Sequence, residues 1–193
     1  MNVLNAERVQ TLFAKVNLPF TFTPGEISQY DTTPIVISEE RVLAFPTPAF
    51  TQGLSILGLR ERLGTDPRQL PCFFDHPWYL DEEFGKMECP PGWHYLNMDV
   101  LKESIQKPYN YSHSLPQGVV LPMAVEVVLM LFLHYLDTGE QLLLKKHTWC
   151  SDRASMDRAV TVGAFGRNGV FISGHPENFA SLGLGICGKR VGG

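Results

Sequence analysis

The chain has no Cys-x-x-Cys pair, no Walker loop, no dinucleotide-binding glycine loop opening a βαβ unit, no His-Glu-x-x-His and no Gly-x-Ser-x-Gly element. These absences remove the commonest nucleotide-binding, zinc-peptidase and serine-hydrolase readings while leaving other enzymes open. Cysteine is sparse: four in 193 residues is too few for a small disulfide scaffold, and free thiols are the simplest expectation. An excess of positive charge is also missing. The 16 basic and 20 acidic residues give a formal charge of -4 and are mixed along the chain, so no patch is offered to a phosphate backbone and nucleic acid is not an expected partner. The opening "MNVLNAERVQTLFAKV" lacks a basic segment followed by a continuous apolar one, which argues against a cleaved signal and for the cytoplasm. No cofactor is implied.

One long apolar run stands out. Residues 119–136, "VVLPMAVEVVLMLFLHYL", approach the length of a membrane span but contain Pro122, Glu126 and His134. An unpaired carboxylate in hydrocarbon is costly, so the run is read as a buried central helix, not a span. Glu126 is then either paired across the core or a poised acid in a pocket, and His134, two turns further on, would share such a pocket.

Val9, Leu12, Phe13 and Val16 fall at helical spacing behind Asn5, a plausible cap. "PIVIS" at 34–38 and "RVLAF" at 41–45 read as strands, placed at edges because the prolines nearby cannot donate to a ladder. "LSILGLRERLG" reads as a short helix with Leu57 and Leu63 inward, Arg60, Glu61 and Arg62 outward, and Gly64 as its stop. Residues 66–122 show no clear period. The last third offers strands in "QLLLKKHTW", "RAVTVGAF", "GVFISG" and "SLGLGIC". "GRNG" joins two of them by a tight hairpin in which Asn168 and Gly169 take positive φ. The expected class is α+β: amino-terminal helices and a long buried central helix packed on a carboxy-terminal antiparallel sheet. One domain over 1–193 is expected, with 1–65 as a helical and extended subregion and 119–193 as core helix plus sheet.

The closing run "RAVTVGAFGRNGVFISGHPENFASLGLGICGKR" resembles the end of C-type-lectin-like domains of the formylglycine-generating and retroelement-diversified kind, with a strand, a glycine-rich turn, an irregular polar loop and a short Gly-x-Gly strand. The likeness covers about the last 40 residues and lacks the Trp-Gly and Gly-Gly-Ser-Trp signatures of those families. It implies a ligand-binding loop around His175 to Ser181 and carries over no functional residue. The chain as a whole also resembles a bacterial protein family to which no activity attaches.

Three constellations offer chemistry. Cys72, His76, Cys89 and His94 have two-pair spacing compatible with tetrahedral zinc. Without a Cys-x-x-Cys knuckle they read equally as core thiols and structural histidines beside Phe73, Phe74, Trp78 and Trp93, and no metal is expected. In "HTWCSDRAS", Cys150 is a candidate nucleophile with His147 as base and Asp152 as orienting group. Asp157, His113 and His175 are further partners for such a site. Residues three apart on a strand point to opposite faces, so the competing reading is a strand end followed by a solvated loop. The third group is "YNYSHS", whose Tyr111 and His113 suit the face of a sugar, peptide or base. With His175, Glu177, Asn178 and Asp152 they form the expected ligand-binding set on loops at one end of the sheet. The leading function is a ligand-binding or protein-interaction module without catalysis of its own, its small-molecule or protein ligand unspecified. The alternative is a cysteine- or metal-dependent hydrolase using Cys150 with a nearby histidine.

Overall fold

The computed structural model describes residues 2–31 and 41–191. The strand expected over 34–38 lies outside the described residues. The class is α+β. Among the described residues, one sheet runs in the order β1 (Asn2–Val3), β2 (Val42–Thr47), β3 (Gly92–Asn97), β9 (Lys189–Arg190), β4 (Val119–Val120). A second runs in the order β7 (Gly169–His175), β6 (Arg158–Gly166), β5 (His147–Ala154), β8 (Leu184–Gly185). The second sheet is mixed and not purely antiparallel, because β8 joins β5 in parallel. Of the first sheet, only β2 corresponds to a strand expected from sequence, "RVLAF".

Helix α1 (Ala6–Lys15) begins at Asn5, whose side chain accepts the Arg8 amide N–H, and buries Val9, Leu12 and Phe13. This is the face that helical spacing marks. After α2 (Pro24–Asp31), strand β2 pairs with β1 at Leu43 and Ala44 and with β3 along its whole length. It is therefore interior over those two residues, and an edge only where β1 has ended. Pro46 falls in that unpaired part, which reconciles a proline with a ladder.

Helix α3 (Ile56–Leu63) starts at Ser55, whose side chain accepts the Gly58 N–H, and stops at Gly64 with φ 67°. Ile56 and Leu59 form its buried face, with Leu57 and Leu63 only half-buried. Arg60 does not point outward. It donates to the Phe74 carbonyl, the Tyr79 hydroxyl and the Asp75 carboxylate, tying α3 to the segment that precedes α4 (Glu83–Lys86).

The long apolar run is divided. Val119–Val120 is strand β4, and helix α5 spans Ala124–Thr138, because Pro122 sits where the helix would otherwise begin. Every residue from Ala124 to His134 is buried. A helix apolar on all sides needs neighbours on all sides. Here Leu43, Phe45 and Leu96 of the first sheet and Val160, Val162, Val170 and Ile172 of the second belong to the same buried cluster as α5. No helix among the described residues is long and apolar enough to cross a membrane.

Strand β5 begins at His147, not at Gln141, and continues through Ala154, so residues expected as a solvated loop extend the sheet. The β6–β7 hairpin closes at Gly166 and Gly169, with Gly169 at φ 92°. Asn168 does not take positive φ, so one glycine supplies the whole left-handed requirement of the turn.

Leu129, at 1% exposure in the middle of α5, reports on this arrangement. Leu129→Ala should lower stability by about 2 to 5 kcal/mol in urea denaturation. A loss under about 0.5 kcal/mol would place α5 at a surface.

Candidate functional site

Alternation along β5 separates its side chains into two sets. Thr148, Cys150, Asp152 and Ala154 are buried, and Cys150 and Ala154 belong to the α5 cluster. His147, Trp149 and Arg153 take the other face, where Trp149 is itself fully buried beneath the Tyr109 segment while His147 and Arg153 meet Phe171, Tyr109 and the loop after β7. The β5–β6 register shifts between Trp149 and Arg153, a bulge or irregularity in the strand.

On this outer face three separate segments are pinned together. The Trp149 indole N–H donates to the Lys107 carbonyl at 3.1 Å, and the Tyr109 ring meets Trp149 edge-on at 5.7 Å. The Tyr109 amide donates to the Glu177 carbonyl at 2.9 Å. The Arg153 guanidinium lies 4.2 Å above the Tyr109 ring and is paired with the Glu177 carboxylate. A cation over a ring face and an ion pair on the same guanidinium hold the strand and both loops in one geometry.

Beside this clamp the His175 ring stacks on Phe179 at 4.3 Å, with an interplanar angle of 9°. His175 Nε2 lies 2.7 Å from the Ser173 hydroxyl, itself 3.1 Å from that of Thr161. Burial, and then the Arg158 charge, push the His175 pKa down. Burial, and then the proximity of His175, push His147 down as well, so the fold favours the neutral form of both imidazoles. Phe179, Glu177, Asn178 and His113 are exposed, and Tyr111 is half-buried with the Lys107 ammonium 6.0 Å from its ring centre. His76 stacks on Phe171, and His147 meets the same ring edge-on. The result is a strip of imidazoles and aromatic rings leading to an Arg–Glu pair. Such a strip can stack on and hydrogen-bond to a ligand.

Asp152 is not part of it. Its carboxylate faces inward at 6% exposure and accepts the Ala124 N–H at 2.6 Å, serving the first turn of α5. Burial pushes its pKa up to about 6. Nor does the proposed nucleophilic set assemble: His147 and Cys150 take opposite faces of β5. The Cys150 thiol is fully buried, lies 3.7 Å from the Thr148 carbonyl, and is pushed well above its usual value by burial and then by the Asp152 charge. Asp157 is exposed and lies 3.8 Å from Arg153.

The four candidate zinc ligands are also dispersed. The Cys72 carbonyl accepts the Val170 N–H and His76 stacks on Phe171, while Cys89 and His94 meet in the core. Among the described residues no group of three or more His, Cys, Asp or Glu side chains could hold a metal ion. The core meeting is nevertheless ordered. His94 Nδ1 is 2.7 Å from Glu126 Oε1, and its Nε2 lies 2.9 Å from Thr47 Oγ1, 3.0 Å from the Pro90 carbonyl and 3.7 Å from Cys89 Sγ. Glu126 further accepts from Lys189 Nζ at 2.5 Å and from the Met123 N–H at 2.8 Å. Burial alone would raise the Glu126 pKa, but the His94 and Lys189 contacts hold it below the usual carboxylate range.

Thiol, imidazole and carboxylate stand in the order of a nucleophilic relay, yet Cys89, His94 and Glu126 are 0%, 2% and 0% exposed, so no substrate reaches them. Burial pushes the Cys89 thiol well above its usual value as well. Glu126 and His134 do not share a pocket: His134 approaches Glu140 at 3.7 Å instead. Gly183, Gly185 and Gly188 carry the spacing of a dinucleotide loop, but they run through β8 towards β9, with no helix after them among the described residues. Cβ atoms added at Gly185 and Gly188 would collide with Val100 and Val119 side chains, so these glycines serve packing.

Comparison with protein-family models, curated proteins and solved structures found no match to this chain.

The Asp152 carboxylate has a folded-state pKa near 6 against an ordinary value of 3.8. Its contribution to stability is therefore complete below about pH 4 and is lost as pH rises through about 6, by at most about 3 kcal/mol. Asp152→Asn should flatten that fall in denaturation midpoints measured from pH 4 to 7. Parallel wild-type and variant curves would contradict the assignment.

Proposed function

We propose that this chain is a recognition module without catalysis of its own, binding a ring-bearing small molecule or a segment of another protein on the outer face of the β5–β7 sheet. The observation that carries the reading is the Arg153 clamp. Tyr109, Arg153 and Glu177 come from three distant stretches of sequence and fix the rim of a strip that includes exposed Phe179 and half-buried His175. A rigid sheet beneath loops that carry imidazole, aromatic and paired charged groups is a common form of binding surface. His175, Phe179, Glu177 and Asn178 are the proposed contact residues, with Tyr111 and His113 at the margin.

The resemblance of the closing run to C-type-lectin-like domains supports the same placement, since it puts the ligand loop at His175 to Ser181. A cytoplasmic setting is proposed from the free thiols: Cys72, Cys89, Cys150 and Cys187 are all buried and unbridged. The rival hydrolase reading loses support from the same fact, because a nucleophilic cysteine needs an accessible, easily ionised thiol.

Two measurements test the reading. In NMR screening of ring-bearing fragments, monosaccharides and short peptides, binders should shift the signals of Trp149, His175 and Phe179. His175→Ala and Phe179→Ala should abolish those shifts while changing stability by no more than about 0.5 to 1 kcal/mol. Binders that shift only residues elsewhere would displace the site. In the second, a thiol reagent at neutral pH should leave all four cysteines unmodified until denaturant is added. One thiol reacting rapidly in the native protein would return the hydrolase reading to first place.

A further inference from the structure

A second site stands at the other end of β5. The turn between α5 and β5 faces the residues that flank β2 and β3, enclosing a cleft of about 350 Å³, within the size range of small-molecule sites. We propose that this cleft binds a small amphiphilic anion, a carboxylate or phosphate head carrying a short aliphatic body.

The charge of the lining is the first argument. Arg41, Lys145 and Lys146 line the cleft against the single carboxylate of Asp99, a local excess of positive charge in a chain whose formal net charge is -4. Asp99 is already served: Lys146 Nζ reaches both its oxygens at 2.7 and 2.8 Å, and the Val100 N–H donates at 2.8 Å. The Arg41 guanidinium forms only a long, exposed ion pair with it at 3.9 Å, beyond hydrogen-bond reach. Lys145 is exposed. Lys146 is thus held in place by Asp99, while Arg41 and Lys145 remain the cations placed to meet an incoming anion.

Two further features fall on the same wall. Gln141 lines the cleft, and its amide nitrogen is shielded and without a hydrogen-bond partner, an unsatisfied donor that a side-chain rotation towards a ligand oxygen would serve. Leu143 and Arg41 both have positive φ, 53° and 75°, a conformation costly for side chains of that size and concentrated at ligand sites. The left-handed turn at Leu143 helps to form the wall, and its buried side chain joins Met98 in an apolar floor. Cationic rim, orphan donor and apolar floor together specify a head and a body.

The test uses methyl-labelled full-length protein titrated with hexanoate, hexyl phosphate, acetate, inorganic phosphate and hexanol. Hexanoate or hexyl phosphate should shift the Met98 and Leu143 methyl signals saturably, and whichever binds tighter identifies the head group. Hexanol should bind at least roughly tenfold more weakly, and added salt should weaken the anions alone. The exposed double variant Arg41→Gln/Lys145→Gln, checked for an unchanged melting temperature, should lose roughly tenfold in affinity, and Gln141→Leu should weaken binding in a fold that keeps every charge. The proposal is overturned if no anion shifts those methyls saturably, if hexanol matches hexanoate, or if the double variant binds within about twofold of wild type.

Discussion

The structure depends on one buried carboxylate. Glu126, in the first turn of α5, is completely shielded from solvent and still ionised, because His94 from β3, Lys189 from β9 and the Met123 N–H all bond to it. These contacts draw three elements together: the central helix, an interior strand of the first sheet, and the carboxy-terminal strand that links β3 to β4. Apolar packing alone would let α5 turn about its axis, since its buried surface is apolar on nearly every side. The Glu126 anchor, together with the Asp152 cap and the Arg8–Asp137 pair, removes that freedom. Buried ion pairs add little net stability compared with well-packed apolar groups, and fixing the orientation of an otherwise featureless helix is a role that suits them.

Once α5 is fixed, the second sheet follows. Asp152 caps the helix from β5, and the alternation of that strand then decides which residues can take part in function. Cys150 and Asp152 are turned towards α5, His147 and Arg153 towards the opposite face, and Trp149 is buried on that face beneath Tyr109. The residue types that suggest nucleophilic chemistry in sequence are divided between core and surface by strand geometry. What remains outside is suited to recognition: imidazoles, aromatic rings and a guanidinium locked between Tyr109 and Glu177. Arg153 lies near one end of β5, and Lys146 and its cleft at the other, so a single rigid strand carries both candidate binding surfaces.

The elements legible in sequence are those whose information is local. Asn5 and α1, Gly64 at the end of α3, and the hairpin at Gly166–Gly169 each depend on a cap, a period or a turn within about a dozen residues. Beyond β2, the first sheet is not legible because β1, β4 and β9 are two residues long, too short to show alternation, and β3 lies in a stretch without a clear period. The β5 boundaries were misplaced because "QLLLKK" has strand composition but forms a turn with Leu143 left-handed. Asp152 was read as exposed because its partner, the Ala124 amide, lies 28 positions away. The loop set was partly legible: His175, Glu177 and the Tyr109 to Ser114 run do converge, but Arg153, which joins them, carries no mark in sequence that distinguishes it from other surface arginines. Glu126 did carry such a mark, a lone carboxylate in an apolar helix, although nothing local named His94 or Lys189 as its partners.

The dependence of the fold on that carboxylate is open to one direct measurement, urea denaturation of Glu126→Gln. The amide keeps the volume of the side chain and removes the charge that His94 and Lys189 face. If the anchor organises the core, the variant should lose about 3 to 5 kcal/mol, the usual cost of leaving a buried ion-pair partner uncompensated. A loss below about 0.5 kcal/mol, the range of ordinary surface substitutions, would show that packing alone orients α5 and would contradict the account.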